Sequence, residues 1–296
     1  MGVTEAPEVT PAHVGSDARD WTFGGTWPYE PRWLFTDGIR LHYVDEGPRD
    51  GEPVVLLHGN PTWSYLYRHH LRGLADAGFR AVGYDQLGFG RSDKPRSVKE
   101  YSVERHGLHL AALMDELELE HVTLVVHDWG GPIGLGWAAE HPERVRGLVL
   151  LNTFSQQAPS GRGPFRWPLA RGLLVKSMHF YVRAFLLRGG LAHPERLGED
   201  ERTAYLAPHP SGPSRSGILA YTRLAPPALP LDGLRGKPAL YVWGMRDRAL
   251  GSGALRRLQE RLPGETVELE DARSFVPEDA PGESLEAILD FLRRIP

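Results

Sequence analysis

Short apolar runs alternate with amphipathic stretches along most of the chain, and the two spacings predict strands and helices in turn. Residues 39–47, "IRLHYVDEG", predict a strand, and 53–59, "PVVLLHG", form a continuous apolar run that suits a strand buried on both faces. Residues 64–78, "SYLYRHHLRGLADAG", carry helical spacing closed by a glycine. A strand and its exit loop follow at 79–88, a helix at 102–120, a buried strand at 121–128, a helix at 131–145 and a strand at 146–153. The helix at 102–120 offers Ser102 as N-cap without the acidic partner of a full capping box. The alternation stops near residue 154. Residues 155–229 are rich in Arg, Pro and Gly with helical pieces, after which strands at 238–244 and 265–271 and a last helix at 283–294 resume the pattern. Strand-helix alternation of this kind predicts an α/β fold with a mostly parallel sheet flanked by helices. The expected organisation is a loose N-terminal arm over 1–30, a core over 31–154 and 230–296, and a helical insertion over 155–229.

Composition narrows the chemistry. The 296 residues include no cysteine, which excludes disulfides, thiolate metal sites and a cysteine nucleophile. With 34 basic and 38 acidic residues the formal charge is −4, spread along the chain without a basic run, so nucleic acid is not the expected partner. The polar first twenty residues lack the apolar segment of a secretory signal, and no apolar run reaches the roughly 20 residues that span a bilayer. The expected setting is cytoplasmic, with no membrane partner. Oligomeric state is not readable.

The chemistry-bearing motif is "VVHDWGGPIG" at 125–134, where a buried strand turns sharply into a helix. This is the setting of a nucleophile elbow, with Asp128 where serine is commonest. A carboxylate there suits attack on an alkyl carbon, with Asp128 becoming an ester. A helix N-cap role for Asp128 is the plainer alternative. Gly130 and Gly131 would let the helix approach the strand closely. A second loop, "LLHGNPTW" at 56–63, also follows a buried strand and fits the other half of an oxyanion hole. "YDQLGFGRSDKP" at 84–95 lies between the two.

On these three motifs the sequence resembles the haloalkane dehalogenases of the α/β-hydrolase fold, over most of residues 33–293. The resemblance implies Asp128 as nucleophile and Asn60 and Trp129 as side-chain N–H donors to the departing halide, two neutral groups suited to charge developing on a leaving atom. It implies that Asp247 in "VWGMRD" orients the catalytic histidine, because Asn152 stands at the alternative position for that acid after the sixth strand. Residues 155–229 match the cap that shapes the pocket. A charged surface turn is the plainer reading of Asp247.

The pattern fails at one place. The family's histidine belongs in a Gly-His-Phe step, and here "ARSFVPEDAP" at 272–281 has Arg273 and Ser274 in the Gly-His positions, with no gap needed. Asp128, Asn60 and Trp129 suffice to form an alkyl ester. Its hydrolysis needs a base for water, which imidazole supplies near neutral pH and a serine hydroxyl does not. Hence the expectation is a haloalkane dehalogenase-type hydrolase acting on a small molecule, stalled at the Asp128 ester. Arg273, if turned inward, would pair with Asp247. His58 and His127 have structural readings, and a histidine of the cap (His179, His193 or His209) is the other candidate base. The alternatives are a small-molecule binding module or alkylation trap, and an epoxide hydrolase using Tyr181, Tyr205 or Tyr221 as ring acid. An acyl hydrolase is disfavoured by aspartate at the elbow. No metal or organic cofactor is implied, since the nucleophile is a side chain and the second reactant is water.

Overall fold

The computed structural model describes residues 19–155, 189–225 and 228–296. Eight strands form one sheet: β1 (Arg32–Thr36), β2 (Ile39–Glu46), β3 (Pro53–Leu57), β4 (Arg80–Tyr84), β5 (Val122–Asp128), β6 (Val145–Thr153), β7 (Ala239–Gly244) and β8 (Glu265–Leu269), in the order β1-β2-β4-β3-β5-β6-β7-β8. Strand β2 is antiparallel to β1 and β4, and all other pairs are parallel. The α/β fold with a mostly parallel sheet flanked by helices is therefore as the alternation predicts. Strands β3, β5 and β6 are apolar and buried on both faces because parallel strands are covered on both sides.

The helices are α1 (Arg68–Asp76), α2 (Val103–Glu116), α3 (Gly130–Glu140), α4 (Glu199–Leu206), α5 (Ser216–Tyr221), α6 (Ser252–Arg261), α7 (Val276–Asp279) and α8 (Pro281–Arg294). The helix expected over 64–78 begins as a 3-10 turn, Ser64–Tyr67, before α1. Ser102 caps α2 by accepting the Arg105 N–H at 3.1 Å without an acidic partner. Helix α3 stops at Glu140, before His141 and Pro142, because proline cannot continue it. Helices α4 and α5 lie between β6 and β7, and no described helix is long and apolar enough to cross a membrane.

Two features depart from the expected pattern. Strand β1 pairs with β2 in register from Arg32↔Tyr43 to Thr36↔Ile39, although its five residues carry no strong alternation and Phe35 is 74% exposed. Residues 19–30, expected within a loose arm, are packed instead. Trp21, Phe23 and Trp27 are buried, and their rings meet Trp63 edge-on or tilted, with centroids 6.0, 6.2 and 5.1 Å away. Aromatic edges held this way add to the burial itself.

From β3 the chain goes to β4 on one side and, by way of α2, to β5 on the other. The order reverses at β3, and the crevice at the carboxyl ends of β3 and β5 is where such sheets place ligands. The loop after β4 supports that end: Asp85 accepts N–H bonds from Ser64 (2.9 Å) and Arg91 (2.8 Å), and the buried Lys94 ammonium donates to the Gly90 (2.6 Å) and Ser92 (2.8 Å) carbonyls.

Candidate active site

Asp128 ends β5 with φ +47°, a left-handed conformation that a side-chain-bearing residue adopts only under constraint. The constraint is visible. A Cβ on Gly130 would collide with the Leu57 carbonyl and one on Gly131 with Thr153 Oγ1, so only glycines allow α3 to start this close to the sheet. Gly59 likewise leaves room for Asp128 itself. The Thr153 hydroxyl donates to the Asp128 carbonyl at 2.6 Å and fixes the turn from β6.

The Asp128 carboxylate faces the "HGNP" loop instead of capping its own helix, whose N-cap is Trp129. Oδ2 accepts the Asn60 backbone N–H at 2.9 Å, and the Trp129 N–H also favours the ionised form. Two backbone N–H groups, one from the "HGNP" loop and one from the start of α3, thus converge on the Asp128 carboxylate. Burial outweighs them and, with the nearby Asp247 carboxylate, pushes the Asp128 pKa up to about 7. Asn60 is buried, and its Oδ1 has no partner among the described residues. The Trp129 ring stands between Phe154 (5.1 Å, 84°) and Tyr221 (5.2 Å, 80°), both edge-to-face.

Asp247 follows β7 and is buried, unlike a surface turn. Its Oδ1 accepts the Ala249 and Leu250 N–H groups at 2.8 and 3.0 Å, and its Oδ2 accepts Asn152 Nδ2–H at 3.1 Å. Asn152 also exchanges bonds with the Gly244 backbone, so it pins the ends of β6 and β7 together while holding the acid. An asparagine closing an apolar strand was the available sequence signal for that role.

Ser274 is partly exposed, and its carbonyl accepts Nε2–H of His127 at 2.8 Å. His127 is fully buried, its pKa pushed down to about 4 by desolvation, so it is a neutral strut under the loop and does not reach water. His58 is also structural: it accepts the Gln86 N–H at Nε2 (3.0 Å) and uses Nδ1–H on the Gly59 carbonyl (3.0 Å). Arg273 donates Nη1–H to the Leu191 carbonyl at 3.1 Å, so its guanidinium turns to the insertion and not to the Asp247 carboxylate. His209 is buried against the Ser214 carbonyl (2.9 Å), His193 pairs with Glu195 (3.1 Å), and His179 lies outside the described residues. No described histidine is hydrogen-bonded to Asp128 or Asp247. The tyrosine hydroxyls are engaged as well: Tyr205 donates to Glu278 and Tyr221 to Gln86, while Tyr181 lies outside the described residues. Among the described residues no group of three or more His, Asp or Glu is placed to hold a metal ion.

Sequence reading missed a buried ion pair of the core to which the insertion is tied through a tyrosine. Arg68 donates Nη1–H to Glu278 at 2.7 Å and Nη2–H at 2.5 Å, and the Tyr205 hydroxyl of α4 binds the same carboxylate. The three residues are far apart in sequence, and although Glu278 stands in the "ARSFVPEDAP" stretch, nothing local links it to Arg68 or Tyr205. Tyr205→Phe is expected to destabilise the protein by about 2 kcal/mol, since it removes a bond to a buried charge. Urea denaturation would show this as a lower midpoint at unchanged slope.

The model of the alpha/beta hydrolase fold matches residues 52–217. A haloalkane dehalogenase of Mycolicibacterium paratuberculosis is 39% identical over 274 residues, covering 86% of this chain and 88% of that one. The chain belongs to the haloalkane dehalogenase family of α/β-hydrolases. A second relative in this similarity range is the cis-3-alkyl-4-alkyloxetan-2-one decarboxylase of Xanthomonas campestris pv. campestris, 35% identical over 285 residues, covering 88% of this chain and 94% of that one. Among solved structures, the tetrameric haloalkane dehalogenase DpaA from Paraglaciecola agarilytica superposes with a TM-score of 0.75 at 29% identity, covering 91% of this chain and 94% of that one.

Proposed function

We propose that this protein forms an alkyl ester on Asp128 from a small haloalkane and hydrolyses that ester slowly. The observation that carries the reading is the Asp128 carboxylate, held at φ +47° on the elbow and facing the Asn60 N–H. Asp128 Oδ attacks the halogen-bearing carbon, the C–O bond forms as the C–halogen bond breaks, and halide leaves toward the Asn60 and Trp129 side chains. Both donors are neutral, Asn60 buried and Trp129 partly buried, and preorganised neutral donors of this kind stabilise developing charge well. Water must then add to the ester carbonyl. The N–H groups of Asn60 and Trp129, which meet the Asp128 carboxylate, would receive that oxyanion, and Asp247 would orient a base, yet Ser274 supplies none. That loss is worth typically 10²–10⁴-fold, on the order of 3–5 kcal/mol of barrier.

Ser274 favours one further reading. Decarboxylation of an oxetan-2-one, the reaction in the Xanthomonas relative's name, requires no activated water. Asp128 would attack the ring carbon bearing oxygen, forming the ester as the ring C–O bond breaks and a free carboxylate is released. The bond to that carboxylate then breaks, its electron pair becomes the C=C bond, and the Asp128 C–O bond breaks. Carbon dioxide and an alkene leave, and Asp128 returns as carboxylate without a proton transfer.

One experiment covers both readings: intact mass, halide and alkene are measured after incubation with 1-bromohexane or with a cis-3,4-dialkyl-oxetan-2-one. A lasting mass gain from bromohexane, absent in Asp128→Ala, supports the stalled dehalogenase. Repeated alkene release from the lactone supports decarboxylation. Repeated bromide release without an adduct means that another group replaces the histidine. Silence with both probes removes the nucleophile reading and leaves a binding module.

A further inference from the structure

The Trp129 ring does not hold its orientation alone. Tyr221, the last residue of α5 in the insertion, is 1% exposed and meets the Trp129 ring edge-on at 5.2 Å and 80°. The Tyr221 ring is also fixed by Phe89, at 4.9 Å and 84°. Its hydroxyl makes two bonds. The single proton goes to Gln86 Oε1, which can only accept, so the oxygen accepts Nε2–H from His106 at 3.0 Å. His106 is thereby held as the Nε2–H tautomer, with burial keeping it neutral.

Gln86 carries the connection onward. Its backbone N–H is received by His58 Nε2 at 3.0 Å, and its side-chain amide N–H is received by the His58 carbonyl. His58 lies two residues before Asn60, and its Nδ1–H is fixed on the Gly59 carbonyl. One tyrosine of the insertion therefore touches the Trp129 ring directly and is hydrogen-bonded to the glutamine that braces the Asn60 loop.

We propose that Tyr221 is a positioning residue for leaving-group departure, acting through Trp129. This rests on the reading in which Trp129 and Asn60 receive the halide. The Tyr221 ring sets the angle at which the indole N–H meets the leaving atom, and the hydroxyl anchors that ring to the core. A donor displaced by a fraction of an ångström loses most where charge is most concentrated, so chloride departure depends on Tyr221 more than iodide departure does.

The test is single-turnover alkylation of the full chain, read by intact mass against time, with 1-chloro-, 1-bromo- and 1-iodohexane. Wild type, Tyr221→Leu, Tyr221→Phe, Trp129→Phe and the Trp129→Phe/Tyr221→Leu double variant are compared, with folding checked by circular dichroism. Tyr221→Leu should slow chloride displacement by about 10²-fold, the scale of a misplaced group remote from the reacting bond, and iodide displacement by markedly less. Tyr221→Phe keeps the ring contact and should lose only a few-fold, which preserves the test if the leucine variant folds poorly. In the Trp129→Phe background, Tyr221→Leu should have little further effect, because the two act through one contact. Equal slowing for all three halides, or additive effects in the double variant, overturns the proposal while leaving the nucleophile reading intact. A wild type that forms no adduct with any haloalkane overturns the parent reading, and this one with it.

Discussion

Ser274→His is expected to raise repeated halide release by about 10²–10⁴-fold and to abolish the lasting ester adduct. The expectation rests on the proposed roles of Asp128 and Asp247. Asp247 is buried, with one oxygen on two backbone N–H groups and the other on Asn152, and in the proposed reading it is the acceptor for an imidazole N–H. The loop at 274 is held by groups other than its own side chain. The Arg273 N–H goes to Asp279 Oδ2 at 2.9 Å, the Phe275 N–H to the Gly190 carbonyl at 3.1 Å, and the Ser274 carbonyl takes His127. A histidine therefore enters a formed loop. Steady-state halide assay with intact mass checks the result, and Asp247→Ala in the same background should reverse the gain. An adduct that still accumulates in Ser274→His would show that Asp247 does not orient a base from this position.

Asp128→Asn is expected to abolish adduct formation, a loss of at least about 10⁴-fold, the usual scale for removing a nucleophile. Wild-type alkylation should also follow the ionisation of Asp128. Burial raises its pKa from 3.8 to about 7, so the rate should climb through neutrality, stand near half its maximum at about pH 7, and level off above. The linkage has a definite sign. The folded state holds a proton that the unfolded chain releases, so stability associated with protonated Asp128 is full below its ordinary value and lost as pH rises through about 7. The neutral amide of Asp128→Asn removes that penalty. Its melting temperature should exceed that of wild type by more at about pH 8 than at about pH 5. A rate flat across this range would mean that Asp128 is ionised throughout and that a cation faces it in solution.

The sheet and the elbow were legible because each has a local signature. A fully buried strand must be continuously apolar, as "TLVVHD" nearly is, and a sharp turn beneath a close helix requires the glycines that follow Asp128. The packed segment around Trp21, Phe23 and Trp27 was not legible. It has no periodicity, and its value lies in contacts with Trp63 and Tyr65 about forty residues away. The same holds for Arg68, Glu278 and Tyr205: the two charges pair only when α1 meets α7, and the neutral Tyr205 hydroxyl reaches them only when α4 packs there. Strand β1 was missed because an edge strand with an exposed Phe35 need not show the alternation that half-burial imposes. Tyr221 was noticed only as a ring acid. Its contact with Trp129 depends on how the insertion returns to the core, which no short motif records.

Asp279 also accepts the N–H groups of Ala192 and His193 at 2.8 and 3.2 Å, so one carboxylate clasps residues 192–193 of the insertion and the loop before residue 274 together. That clasp is indifferent to the side chain at 274. A side chain exchanged at 274 leaves these backbone bonds standing. The scaffold and the residue it presents at 274 are thus separable, and chemistry can be varied at that position without rebuilding the loop that carries it.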